Sequence, residues 1–148
     1  MSDDQLQNRI EKDLILLGGS KNNKITRRLI NKFRTSSIVD QTATAIYWMQ
    51  SQDQKKFTPK IRDKDVISDY GLIVRMKNPF TSYNSTICLF SGEHTYGTIA
   101  AAKYFTENLY KEARWKDVGR NIVAIVSCDV VDGHPVNLRL EKKYIFKD

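Results

Sequence analysis

The densest group of side chains that could do chemistry lies in the segment SGEHTYGT, residues 91–98. It follows the apolar run 86–90, which is typical of a buried strand. Glu93 could orient a ribose hydroxyl or act as a general base, and His94 could donate to a phosphate or shuttle a proton near neutral pH. Glu93 and His94 are therefore the predicted catalytic residues. The alternative is structural: Glu93 favours a helix N-terminus electrostatically, and Thr95 caps that helix.

A second turn has the same form, because the apolar run LILL, 14–17, stops at Gly18-Gly19 before an amphipathic helix. Helix N-termini present unpaired amides and a partial positive charge, and ligands bind at the carboxyl ends of such strands. If the strands that end at Leu17 and Phe90 are parallel neighbours, both turns converge on one crevice that suits a phosphate, ribose or carboxylate. The predicted ligand-binding residues are Gly18, Gly19, Ser20, Asn23, Ser91, Gly92, Thr95, Tyr96, Gly97 and Thr98.

The glycine pattern does not indicate which ligand binds. The GGS turn lacks the third glycine of a dinucleotide fingerprint, and the chain has no Walker lysine pattern. The structural alternative is that these glycines only close tight turns between strand and helix. We predict no cofactor and no metal, since His94 and His134 lie far apart in the chain and give no recognisable ligand spacing.

Hydrophobic periodicity predicts the elements that position these turns. One apolar stripe, centred on Leu29, predicts a helix that starts at Asn22 or Asn23 and ends near Arg34. A second stripe, centred on Phe105, predicts the longest helix, over residues 95–115. Continuous apolar runs predict strands at 14–17, 70–76, 86–90 and 121–130, buried on both faces as parallel sheets require.

These elements predict one α/β domain, residues 1–148, of a Rossmann-like kind. Its mixed, largely parallel-centred sheet has flanking helices, and an antiparallel hairpin at Asp132-Gly133 closes the C-terminal end. We expect a polar lead at 1–12. Residues 35–65 are predicted to be an irregular or flap-like insertion, with two short strands around a QSQDQKK turn.

The chain is basic, with a net charge of +7 and a pI near 9.4. This charge favours anionic partners such as phosphates or nucleotides, although lysine and arginine that only solvate helix faces would give the same total. Nucleic acid is a less favoured partner, because the basic helix that carries Arg27 and Arg28 has no nucleic-acid motif beside it.

The composition also indicates a cellular location. Cys88 and Cys128 each lie inside an apolar run, which is typical of structural thiols in a reducing compartment. The N-terminus is acidic and polar, unlike a signal peptide, and no apolar run is long enough to cross a membrane. We therefore expect a cytoplasmic protein without a membrane partner.

The segments LILLGGSKNNKIT, YGLIVRMKNPF and GEHTYGTIAAAKYF together resemble a recurring prokaryotic α/β module. A looser form of this pattern is similar to repeated domains in archaeal surface-layer proteins. The resemblance spans residues 13–146 and implies a shared fold, without an activity.

Three functions follow as hypotheses. The first is a sensor-type domain that binds a nucleotide or another phosphate-containing small molecule at the carboxyl ends of the strands. The second is a hydrolase or glycosidase that cleaves a nucleotide or NAD with Glu93 as its carboxylate. The third is a protein-interaction or assembly module whose contact surface is Tyr47, Trp48 and the 35–65 segment, with a homo-oligomer as one possible assembly.

Overall fold

The computed structural model describes residues 13–19, 23–50, 52–82, 84–110 and 121–146. Of these residues, 50% lie in strands and 23% in two helices. The fold is therefore mostly β. The polar lead 1–12 and the predicted helical residues 111–115 lie outside the described residues.

Nine strands and two helices follow one another along the described residues. In chain order the elements are β1 (Leu14–Leu17), α1 (Lys24–Thr35), β2 (Val39–Gln41), β3 (Ile46–Trp48), β4 (Lys55–Phe57), β5 (Lys60–Arg62), β6 (Asp65–Lys77), β7 (Thr86–Gly92), α2 (Thr95–Tyr104), β8 (Asn121–Val131) and β9 (His134–Phe146). α2 continues as a π-helical turn over Phe105–Leu109.

The larger sheet has six strands, in the order β1-β7-β6-β8-β9, with β5 paired to the start of β6. β1 and β7 are parallel, and the other described pairs of this sheet are antiparallel. The predicted Rossmann-like α/β fold with a largely parallel-centred sheet is therefore wrong. In the observed sheet the parallel pair, β1 and β7, lies at one edge, and the central strands are antiparallel. The C-terminal hairpin is present as β8 and β9, joined at Asp132-Gly133.

The cause of the error is that the centre of the large sheet is covered on both faces. Leu72 and Val74 on β6 belong to one core cluster, and Ile73 between them belongs to the other. A strand that is buried on both faces is apolar at every position, whichever way its neighbours run. The apolar runs at 70–76 and 121–130 therefore predicted strands correctly but could not predict their direction.

α1 begins close to the predicted position and covers one face. Asn23 is its N-cap, and the side-chain Oδ1 accepts hydrogen bonds from the amides of Ile25 and Thr26 at 2.9 and 3.1 Å. Leu29 and Phe33 are buried in the core cluster on this face of the sheet. The four-residue spacing read from the sequence is thus the buried stripe of the helix.

The segment 35–65, expected to be irregular, contains four short strands. Three of them, β2, β3 and β4, form a separate antiparallel sheet, and the predicted strand pair around the QSQDQKK turn is β3 and β4. This small sheet packs beside α1 through Val39, Ile46 and Phe57. Trp48 is only 3% exposed in the same cluster, so it offers no surface to a partner.

α2 lies against the opposite face and crosses β6 with no side chain between them. A Cβ atom added to Gly97 would lie 2.1 Å from the carbonyl oxygen of Tyr70, and one added to Gly71 would lie 2.1 Å from the carbonyl oxygen of Gly97. Fully buried Ala100 and Ala101 continue the close contact. The glycines are therefore required by backbone packing at this crossing.

β1 forms an edge of the large sheet. Its residues pair with β7 from Leu14 opposite Ile87 to Leu17 opposite Phe90. Ile15 is 74% exposed and Leu17 is 62% exposed. The prediction that this strand is buried on both faces is therefore wrong, because β1 is an edge strand with one exposed apolar face.

Both cysteines are free thiols, Cys88 half-buried on β7 and Cys128 buried on β8. Neither helix of the described chain is long and apolar enough to span a bilayer.

We predict that Gly97→Ala lowers the free energy of unfolding by about 3 kcal/mol or more, because the new methyl group overlaps the backbone of β6. Gly133→Ala is the matched control. Its Cβ would meet nothing within 4 Å, and only the left-handed φ of +75° disfavours alanine there, by about 1–2 kcal/mol. Urea unfolding of both variants measures the difference, and equal losses would contradict the close crossing.

Candidate functional site

The two predicted turns do meet at one end of the large sheet. Leu17 and Phe90 are register partners on parallel neighbours, and the amide of Gly18 donates to the carbonyl of Phe90 at 2.9 Å. Gly18 has a φ of +89°, which glycine adopts without strain. The strands that end at Leu17 and Phe90 are therefore parallel neighbours, which is the condition on which the predicted convergence depended. Ser20 lies outside the described residues.

A carboxylate of the protein itself occupies the N-terminus of α2. Asp69 on β6 is fully buried, and its Oδ2 accepts hydrogen bonds from the amides of His94 at 3.0 Å and Gly97 at 2.6 Å. Its Oδ1 accepts from the amide of Tyr70 at 2.9 Å. Burial raises the pKa of Asp69, while these backbone hydrogen bonds oppose that rise.

Other amides predicted to hold an anion also have partners within the protein. The amide of Gly92 donates to Oγ1 of Thr98 at 2.9 Å, and that of Glu93 donates to the carbonyl of Tyr70 at 3.1 Å. At α1, Asn23 caps the first turn itself. An anion held by backbone amides at the Gly92 turn would have to displace these bonds. Any ligand site here must therefore rely on side chains.

A crevice of about 660 Å³ lies beside the ends of β1 and β7. It combines backbone of the two glycine turns with polar side chains from α1, β2 and the loop after β7. The described residues that line it are Gly19, Arg27, Gln41, Thr42, Ala43, Gly92 and Glu93. Of the predicted site residues, the crevice therefore unites Gly19, Gly92 and Glu93.

Gln41 connects the small sheet to this crevice. Its Nε2 donates to the carbonyl of Ser91 at 3.1 Å and to Oε2 of Glu93 at 3.0 Å. Its Oε1 accepts from the hydroxyl of Ser91 at 2.7 Å. Both Gln41 and Ser91 are buried. Ser91, a predicted ligand residue, thus serves to orient Gln41.

Glu93 has an environment that favours its neutral form. Oε2 accepts the hydrogen bond from Gln41, whereas Oε1 is buried and has no hydrogen-bond partner among the described residues. Burial raises the pKa of Glu93 to about 7, with a further rise from the negative charge of Asp69 and an opposing effect of the Gln41 hydrogen bond. A carboxyl group that titrates near neutrality can exchange a proton at physiological pH.

The other predicted residues of the loop have structural positions. His94 is the N-cap residue of α2, without a side-chain capping bond, and it is not among the described residues that line the crevice. Thr95 is exposed at the start of α2. Tyr96 packs against the core, and Gly97 lies in the crossing with β6. The structure therefore does not bring His94 to Glu93 as a crevice pair.

Sequence reasoning missed Gln41 as a site residue and noted Arg27 only as part of a basic helix. Arg27 could have been found from its place on α1, one turn beyond the cap, once the crevice was expected at that helix. Nothing in the local sequence marks Gln41, because its partners lie 50 and 52 positions away.

No protein-family model, curated protein sequence or solved structure matches this chain. The resemblance to the prokaryotic α/β module and to surface-layer repeats therefore stays a prediction.

We predict that Glu93 makes stability depend on pH. Its pKa is raised from 4.5 in an unfolded chain to about 7, so the folded state keeps a proton that the unfolded state loses between these values. The contribution of Glu93 is therefore greatest at low pH and is lost as pH rises through 7. Relative to Glu93→Gln, the free energy of unfolding of the wild type should fall by about 1–2 kcal/mol between pH 5 and 8. Solvent screening keeps the change this small, because the side chain of Glu93 is partly open to water.

Urea unfolding of both proteins at several pH values measures this difference. Glu107→Gln, at an exposed position of the π-helical turn, is the matched control and should follow the wild type. A constant difference between wild type and Glu93→Gln across this range would contradict a raised pKa.

Proposed function

We propose that this chain binds a small nucleotide or another phosphate-containing ligand in the crevice beside the ends of β1 and β7, as a sensor-type domain. The observation that carries the proposal is that Arg27 and Glu93 line the same crevice. A guanidinium group and a carboxyl group whose pKa is raised to about 7 form a combination suited to a phosphate ester with free hydroxyls.

Each group has a separate part in this binding. The guanidinium of Arg27 can form two parallel hydrogen bonds to phosphate oxygens. Because Oε1 of Glu93 is buried, only Oε2 can face the ligand. When Oε2 carries the proton, it can donate to an anionic oxygen without repelling it. The net charge of +7 attracts anions toward the whole molecule.

The lining also indicates which part of a nucleotide is recognised. None of the described residues that line the crevice is aromatic, so a base has no ring on which to stack there. Recognition would then depend on the phosphate and the sugar. Thr42 also lines the crevice, but its hydroxyl accepts hydrogen bonds from the amides of Thr44 and Ala45 at 3.3 and 3.2 Å, so recognition depends on Arg27 and Glu93.

Isothermal titration tests the proposal with NAD, ADP-ribose, AMP and ribose 5-phosphate. At least one should bind, and Arg27→Gln and Glu93→Ala should each weaken its binding about tenfold or more, as expected for the loss of a charge-assisted or buried hydrogen bond. Arg28→Gln is the matched control, because its guanidinium lies 4.6 Å from the ring centre of Phe80 and outside the crevice lining.

The control should bind as the wild type does. Absence of binding for all four compounds, in a folded sample, would falsify the proposal. Equal losses in Arg27→Gln and Arg28→Gln would show only a general effect of charge.

A second candidate is a hydrolase that cleaves a glycosidic or phosphate bond of a nucleotide, with Glu93 as general acid. The specific observation in its favour is a carboxyl group in a crevice that holds its proton up to about pH 7. Incubation of NAD and of AMP with the protein, followed by chromatography, should then show products that Glu93→Gln does not form. Binding without any product would favour the sensor instead.

A further inference from the structure

The carboxamide of Gln41 has a single orientation in its network. Its oxygen accepts from the hydroxyl of Ser91, and its nitrogen donates both to the carbonyl of Ser91 and to Oε2 of Glu93. A carboxamide turned over would place its oxygen against the carbonyl oxygen of Ser91, which cannot donate a hydrogen bond. The backbone end of β7 therefore fixes the atom that faces Glu93.

The same residue lies on β2, and the chain after β2 forms part of the crevice. Thr42 and Ala43 line it directly after Gln41. Gln41 thus fixes Glu93 and the loop after β2 from one buried position, where it is 8% exposed.

We propose that Gln41 is the positioning residue of this site, and that its hydrogen bond to Glu93 sets the pH range in which an anionic ligand binds. This inference rests on the proposed function. It adds a regulatory property, namely that binding of the anion is coupled to uptake of a proton.

The charges around Glu93 explain the coupling. Asp69 on β6 adds negative charge, Arg27 on α1 lines the same crevice, and His94 follows Glu93 in the loop. An anionic ligand beside Glu93 adds further negative charge, which disfavours the ionised carboxylate. Above about pH 7 the carboxyl group must therefore take up a proton for the ligand to bind, and affinity should fall up to about tenfold per pH unit.

Gln41→Leu tests the positioning role. Leucine has a similar size but cannot donate, so the ionised form of Glu93 loses its hydrogen bond and the carboxyl should titrate about 0.5–1 pH unit higher than in the wild type. Carboxyl NMR of the ligand-free protein measures this titration, with Glu93→Gln assigning the signal. Gln41→Met, a more flexible replacement, gives a second measurement if the leucine variant does not fold.

Titration with ribose 5-phosphate tests the coupling. Wild-type affinity should fall with rising pH from a midpoint near 7, this midpoint should move upward in Gln41→Leu by the amount seen by NMR, and Glu93→Gln should bind without that dependence. The phosphate itself titrates near pH 6, so the comparison is made between proteins at each pH. Gln54→Leu, at an exposed position of the turn before β4, is the matched control.

Several results would overturn the proposal. If Glu93 titrates alike in wild type and Gln41→Leu, Gln41 does not position it, whatever binds. If the NMR midpoint moves but the pH profile of binding does not, the coupling is wrong although the site exists. If no ribose 5-phosphate binds at any pH, while the NMR midpoint moves, the failure lies with the proposed ligand and the coupling falls with it.

Discussion

The carboxylate of Asp69, buried beneath the first turn of α2, is the interaction on which the rest of the site depends. It binds the amides of His94 and Gly97, and it lies next to the crossing where Gly97 meets the backbone of β6. Removing such a carboxylate would take the charged acceptor from the amide of His94 and leave the amide of Gly97 with only its 3.1 Å bond to the carbonyl of His94. The contact of Asp69 with these amides and the bond from Gly92 to Thr98 hold the loop from β7 to α2 at both ends. Together they fix the position of Glu93 in that loop.

This arrangement changes the kind of chemistry that the glycine turns can support. A helix that begins beside a strand end often uses its free amides to hold a phosphate. Here an internal carboxylate already satisfies two of those amides, and its charge also raises the pKa of neighbouring Glu93. The helix terminus therefore contributes to the site indirectly. A ligand would therefore be bound mainly by side chains from α1 and β2, which lie on the other face of the large sheet.

The sequence predicted local structure well and long-range structure in part. The stripe around Leu29 and the turn at Asp132-Gly133 depend on neighbours in the chain, and both were found. The predicted crevice depended on parallel pairing of the strands that end at Leu17 and Phe90, and this pairing is present. The fold class was wrong because a sheet covered on both faces hides the direction of its strands. Gln41 could not be found at all, since its role arises only when two sheets meet.

The pairing of β1 with β7 has a consequence for how the molecule folds. The hydrogen bond from the amide of Thr86 to Asp13, at the start of that pair, closes 73 positions of chain, whereas β8 and β9 are joined by a two-residue turn. Closing a long loop loses more conformational entropy before any contact compensates, so distant strands associate slowly. We expect the antiparallel centre to assemble first and the N-terminal strand to dock afterwards. The wall of the crevice that contains Gly19 would then form only in the final stage of folding. A newly made chain would become compact first and would be able to bind its ligand only afterwards.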